Sequence, residues 1–409
     1  MSGFPATEDE AAAWLRLNAF PATPADTPGI GAEIEFLVRE TSTGHTALLE
    51  SLLGEWLDSL AGRQGWTAAN GNGAPRVTSA AGGAITLEPG GQLEYSAPPF
   101  TDVSTLVDHL ATVASFLTGA AASAGLTLDS IGMDPSHSIE DVPLQLHGSR
   151  YDNMHAYLSA ISDAGPRMMR QTAAIQVNVD AVNDPILTWS VLNRAVPVLT
   201  ALFATSHLYE GRDTGCASYR AFTWRQLDAS RTGVIAALHG VTAEKASHEY
   251  ARFALDAPCI FDSPNFRPFR ELAGTSEADW RAHLTTLFPE VRPKGYYEVR
   301  CIDALPPAHY AAPLVMIWAL CSDSDVLHKA DTLLPEVDEE ALTRAARSGL
   351  GDAALHTQAA ALVKLVLDAG RRAGEGLARR AHVDVLEAWW NQSRRDVRRS
   401  STTSSLTIM

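Results

Sequence analysis

The sequence predicts an α+β fold: a curved, largely antiparallel sheet with one open face, flanked by helices and followed by a helical C-terminal part. Three observations carry that expectation. Strand-like runs, with helical patterns between them, are concentrated before residue 302. Most of these runs are apolar only at every second position, which favours an antiparallel or mixed sheet over a doubly wound parallel one. Residues 307–400 carry Ala, Leu and Val at helical spacing almost throughout. The expected division is an N-terminal helix and linker (1–28), one large domain (29–400, strand-rich to about 306) and a flexible Ser/Thr-rich tail (401–409).

Composition narrows the options. The 409 residues are 46% apolar and 20% charged, enough for a large core. A net charge of −16 argues against nucleic acid or an anionic membrane as the main partner, but not against an anionic ligand held in a locally positive field. Cys216, Cys259, Cys301 and Cys321 have neither CxxC nor zinc spacing, and Met1-Ser2-Gly3-Phe4 lacks the basic and apolar regions of a signal peptide. The expectation is a cytoplasmic monomer or homodimer with buried, reduced thiols. No run is expected to reach transmembrane length without polar breaks.

In chain order, a short helical pattern covers residues 8–17 and a Pro-rich stretch covers 21–28. Residues 29–39 read as an acidic strand, and 48–60 as an amphipathic helix with Leu and Trp on one face. The Gly/Asn/Ala-rich stretch 65–83 reads as loop, with room for one short strand. Residues 85–96 then read as strand, tight turn, strand, because Pro89-Gly90-Gly91 is turn chemistry. A helix is expected over 103–124, a strand over 127–134, and a functional loop over 134–150 that ends at Arg150, next to Tyr151. A helix (151–161), a strand with an amide-lined face (172–180) and a helix (185–205) follow. Residues 211–233 look irregular; a helix (247–255), a strand (258–261) and short helices (269–272, 279–284) lead to the strand around Glu298.

The carboxylates stand out. Glu33 and Glu35 are two apart on one strand and so share a face; Glu88 and Glu94 lie opposite the apolar positions of their own strands. Either pair alone could be the solvated face of an antiparallel sheet. Two pairs with Gly/Pro punctuation, and Glu298 beside Arg300 on a third strand, suggest a site where divalent cations relieve the repulsion. Gln176 and Asn178 would line it. Two or three Mg²⁺ ions and fixed positive charge suit phosphoryl transfer. No Walker-type motif, no Gly-x-Gly-x-x-Gly after a strand and no Gly-x-Ser-x-Gly occurs. His137, His147, His155 and His207 have no metal spacing.

The chain resembles the glutamate–cysteine ligase family of plants and many bacteria, nearest in pattern to its actinobacterial, ergothioneine-pathway branch. The matching residues are Ile85 through Ser96; Arg150-Tyr151 with Met154 and Tyr157; Gln176 through Asp180; Tyr219-Arg220 with Trp224, Asp228, Arg231 and Gly233; and His283 through Arg292 running into Tyr297-Glu298-Val299-Arg300. They span roughly residues 29 to 310. The pattern departs from the plant type at Leu146-His147-Gly148-Ser149, where basic residues are usual, and at Gly295, where a second basic residue often follows Lys294.

The resemblance implies a glutamine-synthetase-like fold and ATP-dependent ligation of L-glutamate to L-cysteine through γ-glutamyl phosphate. It implies Glu33, Glu35, Glu88, Glu94 and Glu298 as Mg²⁺ ligands, and Arg220 for a glutamate carboxylate. Arg300 and Lys294 would serve the phosphates, while Arg150, Tyr151, Gln176, Asn178 and Trp224 would contact substrates. The departures thin the positive charge near the acceptor, so a different amine acceptor is the main alternative. A non-catalytic nucleotide or amino-acid sensor is the other.

Overall fold

The computed structural model describes residues 3–21, 28–63, 65–71, 74–235 and 238–406. The Pro-rich linker falls largely outside them. In chain order the first half contains α1 (Glu8–Asn18), β1 (Ile30–Glu40), α2 (Leu52–Ala61), β2 (Trp66–Gly71), β3 (Ala74–Ser79), β4 (Ala84–Leu87), β5 (Leu93–Ser96), α3 (Val103–Ser123), β6 (Leu126–Asp129), α4 (Ser149–Ser159), α5 (Ala164–Gln171), β7 (Ala174–Val179) and α6 (Pro185–Leu202). The second half contains β8 (Leu208–Tyr209), β9 (Arg212–Asp213), α7 (Tyr219–Trp224), α8 (Ala229–Thr232), α9 (Ala243–Asp256), α10 (Glu277–Leu284), β10 (Val291–Pro293), β11 (Tyr297–Asp303), α11 (Ala311–Ser322), α12 (Ser324–Leu333), α13 (Glu339–Ser348), α14 (Ala353–Ala373) and α15 (Arg380–Leu406).

Nine strands form one sheet in the order β10-β11-β7-β1-β5-β4-β3-β2, with β6 on the far end of β1. Every pairing in it is antiparallel. The two-residue period sorts its faces. Ile34, Phe36, Ile175, Val177, Val299 and Tyr95 are buried on one side, where α3, α6 and α11 pack against the sheet. The other side carries the acids and amides. Register aligns them: Glu33 opposes Gln176, Glu35 opposes Glu94, Glu298 opposes Asn178, and Arg292 opposes Glu298.

Several expectations are corrected. Residues 65–83 are mostly a β2–β3 hairpin; its Ala, Gly and Asn content is poor strand signal, and pairing of Val77 with Ile85 supplies what propensity does not. The expected strand at 258–261 is a turn joined by a single Pro258–Pro268 bridge, since proline cannot donate to a ladder. Residues 211–233 are ordered as β9, α7 and α8, the two helices N-capped by Ser218 and Asp228. Arg150 and Tyr151 sit in the first turn of α4, not in a loop. The expected tail is helical as far as Leu406. Helices α3 and α6 are long and apolar enough, by length and composition, to cross a membrane, against the sequence expectation. The apolarity of α6 has another use: 83% of its most apolar window is buried inside the protein.

The turn between β4 and β5 is fixed from below. Gln92 is buried; its Oε1 accepts from the Gly90 amide (2.9 Å) and its Nε2 donates to the Thr172 carbonyl (3.0 Å). A Cβ on Gly90 would lie 2.2 Å from the carbonyl oxygen of Arg170, which is backbone and cannot swing aside. Gly90→Ala is therefore expected to cost about 1–3 kcal/mol in urea denaturation. It should also lower activity, because Glu88 and Glu94 flank this turn.

Candidate active site

Five glutamates come together on the open face. Glu35 is buried: its carboxylate accepts from the Ala174 amide (2.8 Å) and from Gln176 Nε2 (2.7 Å). Glu33 accepts from Asn178 Nδ2 at 3.2 Å. Glu94 accepts from Thr86 (2.9 Å) and Ser96 (3.1 Å), its neighbours across and along the strands. Glu88 follows β4 at the start of the turn and faces the same cleft as Glu35.

Burial and mutual repulsion raise the proton affinity of four of these groups. Burial first, then Glu94 and Glu298, push Glu33 up to about 7. Burial, then Glu94 and Glu35, push Glu88 well above the usual carboxylate range. Glu94 is raised by burial and by Glu35. Glu35 is raised by burial, with Arg220 and Gln176 holding the rise back. Glu298 is the opposite case. Burial opposes its ionisation, but Arg292, Arg300 and Lys294 outweigh that and hold it well below the usual range. Lys294 Nζ donates to Oε1 at 2.9 Å, Arg300 donates to Oε2 at 2.8 Å, and Arg292 lies 3.3 Å from Oε2.

The cleft beside the acids is lined by Glu35, Glu88, Arg150, Tyr151, Gln176, Arg220, Trp224 and Arg300, all of them sequence-expected. Arg300 also donates to Gln176 Oε1 at 2.5 Å. Arg220 stands in the first turn of α7 and donates to the Arg300 carbonyl at 2.8 Å. Asp303 lies 3.8 Å from the Arg220 guanidinium and accepts from Ser206 (2.7 Å) and Ser218 (2.8 Å). Arg150 donates to the Thr285 carbonyl at 3.3 Å. Trp224 packs edge-on against Phe288, with ring centroids 5.5 Å apart.

Glu33, Glu94, Glu298, Asn178 and Lys294 do not line this cleft; Glu33, Glu94 and Glu298 adjoin it through their charges, and Lys294 lies on the far side of Glu298. Gln92, Arg292, Asp303 and the apolar wall of Met154, Met168, Met169 and Phe288 went unassigned in sequence reasoning. Gln92, Met154, Phe288 and Arg292 fall inside the matching motifs, and Arg292 also alternates with Lys294 ahead of Glu298; Met168, Met169 and Asp303 carry no such signal. His137 is bound to Asp134 (3.0 Å) and His147 to Asp152 (3.0 Å).

Among the described residues, no three carboxylates, histidines or cysteines stand as a ready metal cage. Repulsion spreads the glutamates, and cations already occupy Glu298. The donor set still fits a hard cation: it is all oxygen, it carries uncompensated negative charge, and Asn178 Oδ1 beside Glu33 is buried with no partner.

An open, mostly antiparallel sheet flanked by helices is a glutamine-synthetase-like fold. The structure superimposes on the Francisella tularensis glutamate–cysteine ligase solved in complex with AMP, with a TM-score of 0.55 at 14% identity, covering 92% of this chain and 83% of that one. It also matches the ligase PafA solved with the prokaryotic ubiquitin-like protein Pup, with a TM-score of 0.51 at 11% identity over 92% of this chain and 65% of that one. The chain belongs to glutamate–cysteine ligase family 2 (GCS2), whose family model matches residues 29–393. It is 35% identical over 309 residues to glutamate–cysteine ligase EgtA of Mycolicibacterium smegmatis, covering 70% of this chain and 71% of that protein. It is 35% identical over 268 residues to the chloroplastic glutamate–cysteine ligase of Brassica juncea, covering 59% of this chain and 50% of that protein.

The raised glutamates have a consequence for stability. Glu33 holds its proton more tightly folded than unfolded, so its contribution is full below about 4.5 and is lost as pH rises through about 7. Without divalent metal, the melting temperature should fall from about pH 4.5 to about pH 7 and level off above that, and Mg²⁺ should flatten the fall. Calorimetry of the wild type and of Glu33→Gln, in EDTA and in Mg²⁺, checks this. The variant should show a shallower fall and a smaller gain from Mg²⁺.

Proposed function

We propose that this protein joins the γ-carboxylate of L-glutamate to the α-amine of L-cysteine in an ATP-dependent reaction that passes through γ-glutamyl phosphate. The γ-carboxylate attacks the γ-phosphorus, and ADP leaves. The cysteine amine then attacks the acyl carbon, and phosphate leaves, giving γ-glutamylcysteine. The observation that carries the reading is one sheet face on which a glutamate array meets a fixed row of cations, in a chain of this ligase family.

Glu33, Glu35, Glu88 and Glu94, with the Asn178 oxygen, would hold two or three Mg²⁺ ions. Glu298 would join them as phosphates take over Lys294 and Arg300. Mg²⁺ held by these residues would supply positive charge against the negative charge that develops in phosphoryl transfer. Arg220 is held by the Arg300 carbonyl and Asp303, so its guanidinium fork is set to receive a glutamate carboxylate. Arg300 and Lys294 receive the transferred phosphoryl group. Arg150 and Tyr151, in the first turn of α4, cover the cleft and limit hydrolysis of the acyl phosphate. Met154, Met168, Met169 and Phe288 give one end an apolar, polarisable wall, which suits a small thiol side chain better than a charged one. Four unpaired, buried thiols suit a reducing, cytoplasmic setting.

The direct test is ADP release with ATP, Mg²⁺ and L-glutamate across a panel of amines, with mass spectrometry of products. Cysteine, and next its thiol-free analogue L-2-aminobutyrate, should be preferred. ADP release with only some other amine would move the acceptor assignment. No stimulation by any amine would favour a sensor. Glu88→Gln should abolish turnover in a protein that still folds. Arg220→Ala should raise the KM for glutamate about tenfold or more, as expected for losing a charged hydrogen bond, and change that for ATP far less.

A further inference from the structure

Tyr157, Asp228 and Arg231 fall inside the matching motifs, yet none of them lines the cleft. The fold brings them together. Arg231, in α8, is fully buried. A buried guanidinium is costly unless its donors are satisfied, and this one ties separate backbone segments to a single point. Its Nη1 donates to the Thr286 carbonyl at 2.8 Å and to Thr286 Oγ1 at 3.1 Å, and its Nη2 donates to the Pro258 carbonyl. Its own carbonyl accepts from the Phe288 amide at 2.8 Å. Asp228, the N-cap of α8, lies 3.6 Å from Nε.

Tyr157 docks α4 on this centre. Its hydroxyl donates to Asp228 Oδ2 at 2.8 Å, and the Arg231 guanidinium lies 5.1 Å from the centroid of its ring. Phe266 packs edge-on against the same ring, with centroids 5.1 Å apart. Arg150, Tyr151 and Met154 of α4 line the cleft, and Tyr157 follows Met154 by one turn on the same side of the helix. The first turn of α4 is held separately, by the bond from Arg150 to the Thr285 carbonyl. Both ends of the helix thus rest on the segment 285–288. Arg150 reaches it directly, and Tyr157 reaches it through Arg231. The same segment supplies Phe288, which lines the cleft with Met154.

We infer that Tyr157, Asp228 and Arg231 are positioning residues that latch α4 over the cleft and so keep the acyl phosphate for the amine. The inference rests on the γ-glutamyl phosphate reading above and adds the device that protects the intermediate. With α4 in place, the cysteine amine attacks the acyl carbon, the bond from that carbon to the phosphate oxygen breaks, and phosphate leaves. With α4 released, water attacks the same carbon. The same bond breaks, phosphate leaves, and glutamate is regenerated with loss of a proton. ADP then appears without peptide. The latch therefore acts on the ratio of ADP to γ-glutamylcysteine and not on glutamate binding, which falls to Arg220 on α7.

The test is that ratio, measured with ATP, Mg²⁺ and glutamate, with and without cysteine, in the wild type, Tyr157→Phe and Asp228→Asn. Tyr157→Phe keeps the ring on the guanidinium and deletes one hydrogen bond to a carboxylate, which should loosen the latch about tenfold or more. Asp228→Asn keeps the shape of the side chain and its capping oxygen, weakens the same bond, and should act in the same direction. The wild type should release ADP and peptide in equal amounts. In Tyr157→Phe, glutamate-dependent ADP release without an amine should rise about tenfold, ADP should exceed peptide when cysteine is present, and the KM for glutamate should hold. Hydrogen exchange should quicken across α4 in the same variant. Equal ADP and peptide in both variants, whatever their melting temperatures, or unchanged exchange across α4, would overturn the latch and leave the ligase reading standing. A wild type that forms no peptide with ATP would overturn the ligase reading and the latch with it.

Discussion

Five carboxylates crowded on one face of a sheet repel one another, and much of this molecule answers that repulsion. Strand parity puts Glu33 and Glu35 side by side, and antiparallel register brings Glu94 against Glu35 and Glu298 against Asn178. The answer at the sheet edge is local: Arg292, Lys294 and Arg300 share the two oxygens of Glu298. At the sheet centre the opposing cations, Arg220 for Glu35 and Arg150 for Glu88, offset burial and repulsion only in part. Glu33, Glu88 and Glu94 keep a raised proton affinity, and in the proposed reaction that repulsion would favour a divalent cation held between them.

The elements around the sheet hold that arrangement in place. Ser218 caps α7 and, with Ser206, satisfies Asp303 at the end of β11; Asp303 in turn faces Arg220. Gln92 pins the β4–β5 turn to the end of α5. Among the described residues, the helical C-terminal third adds none to the cleft. Eleven of the twelve residues of α11 are buried, with β7 on one side and α15 on another. It packs on the back of the sheet.

The acid face was legible from the sequence because parity on a strand is a hard geometric rule. Glu33, Glu35, Glu94, Gln176, Asn178, Glu298 and Arg300 all fall where the two-residue period places them. What was not legible depended on contacts distant in sequence. The β2–β3 hairpin is set by pairing with β4, not by its own Gly, Asn and Ala residues. The helical first turn at Arg150 follows a glycine (Gly148 has φ +127°) rather than a recognisable capping side chain. Asp303 looked like the ordinary end of a strand, and its tie to Arg220 needed the fold. The short helix α1 read as an entry segment, because nothing in its own residues marks a cavity that α9, α10 and the β10–β11 turn close against it.

The central claim is that the glutamate side chain is activated by phosphoryl transfer, and an oxygen isotope reports on it directly. L-Glutamate labelled with oxygen-18 in its γ-carboxylate is turned over with unlabelled ATP and cysteine, and the released phosphate is examined by mass spectrometry. If γ-glutamyl phosphate forms, the bridging oxygen comes from glutamate and leaves with the phosphate. Each phosphate should then carry one labelled oxygen. Unlabelled phosphate accompanying γ-glutamylcysteine would contradict the account, because the carboxylate would have been activated by some other route.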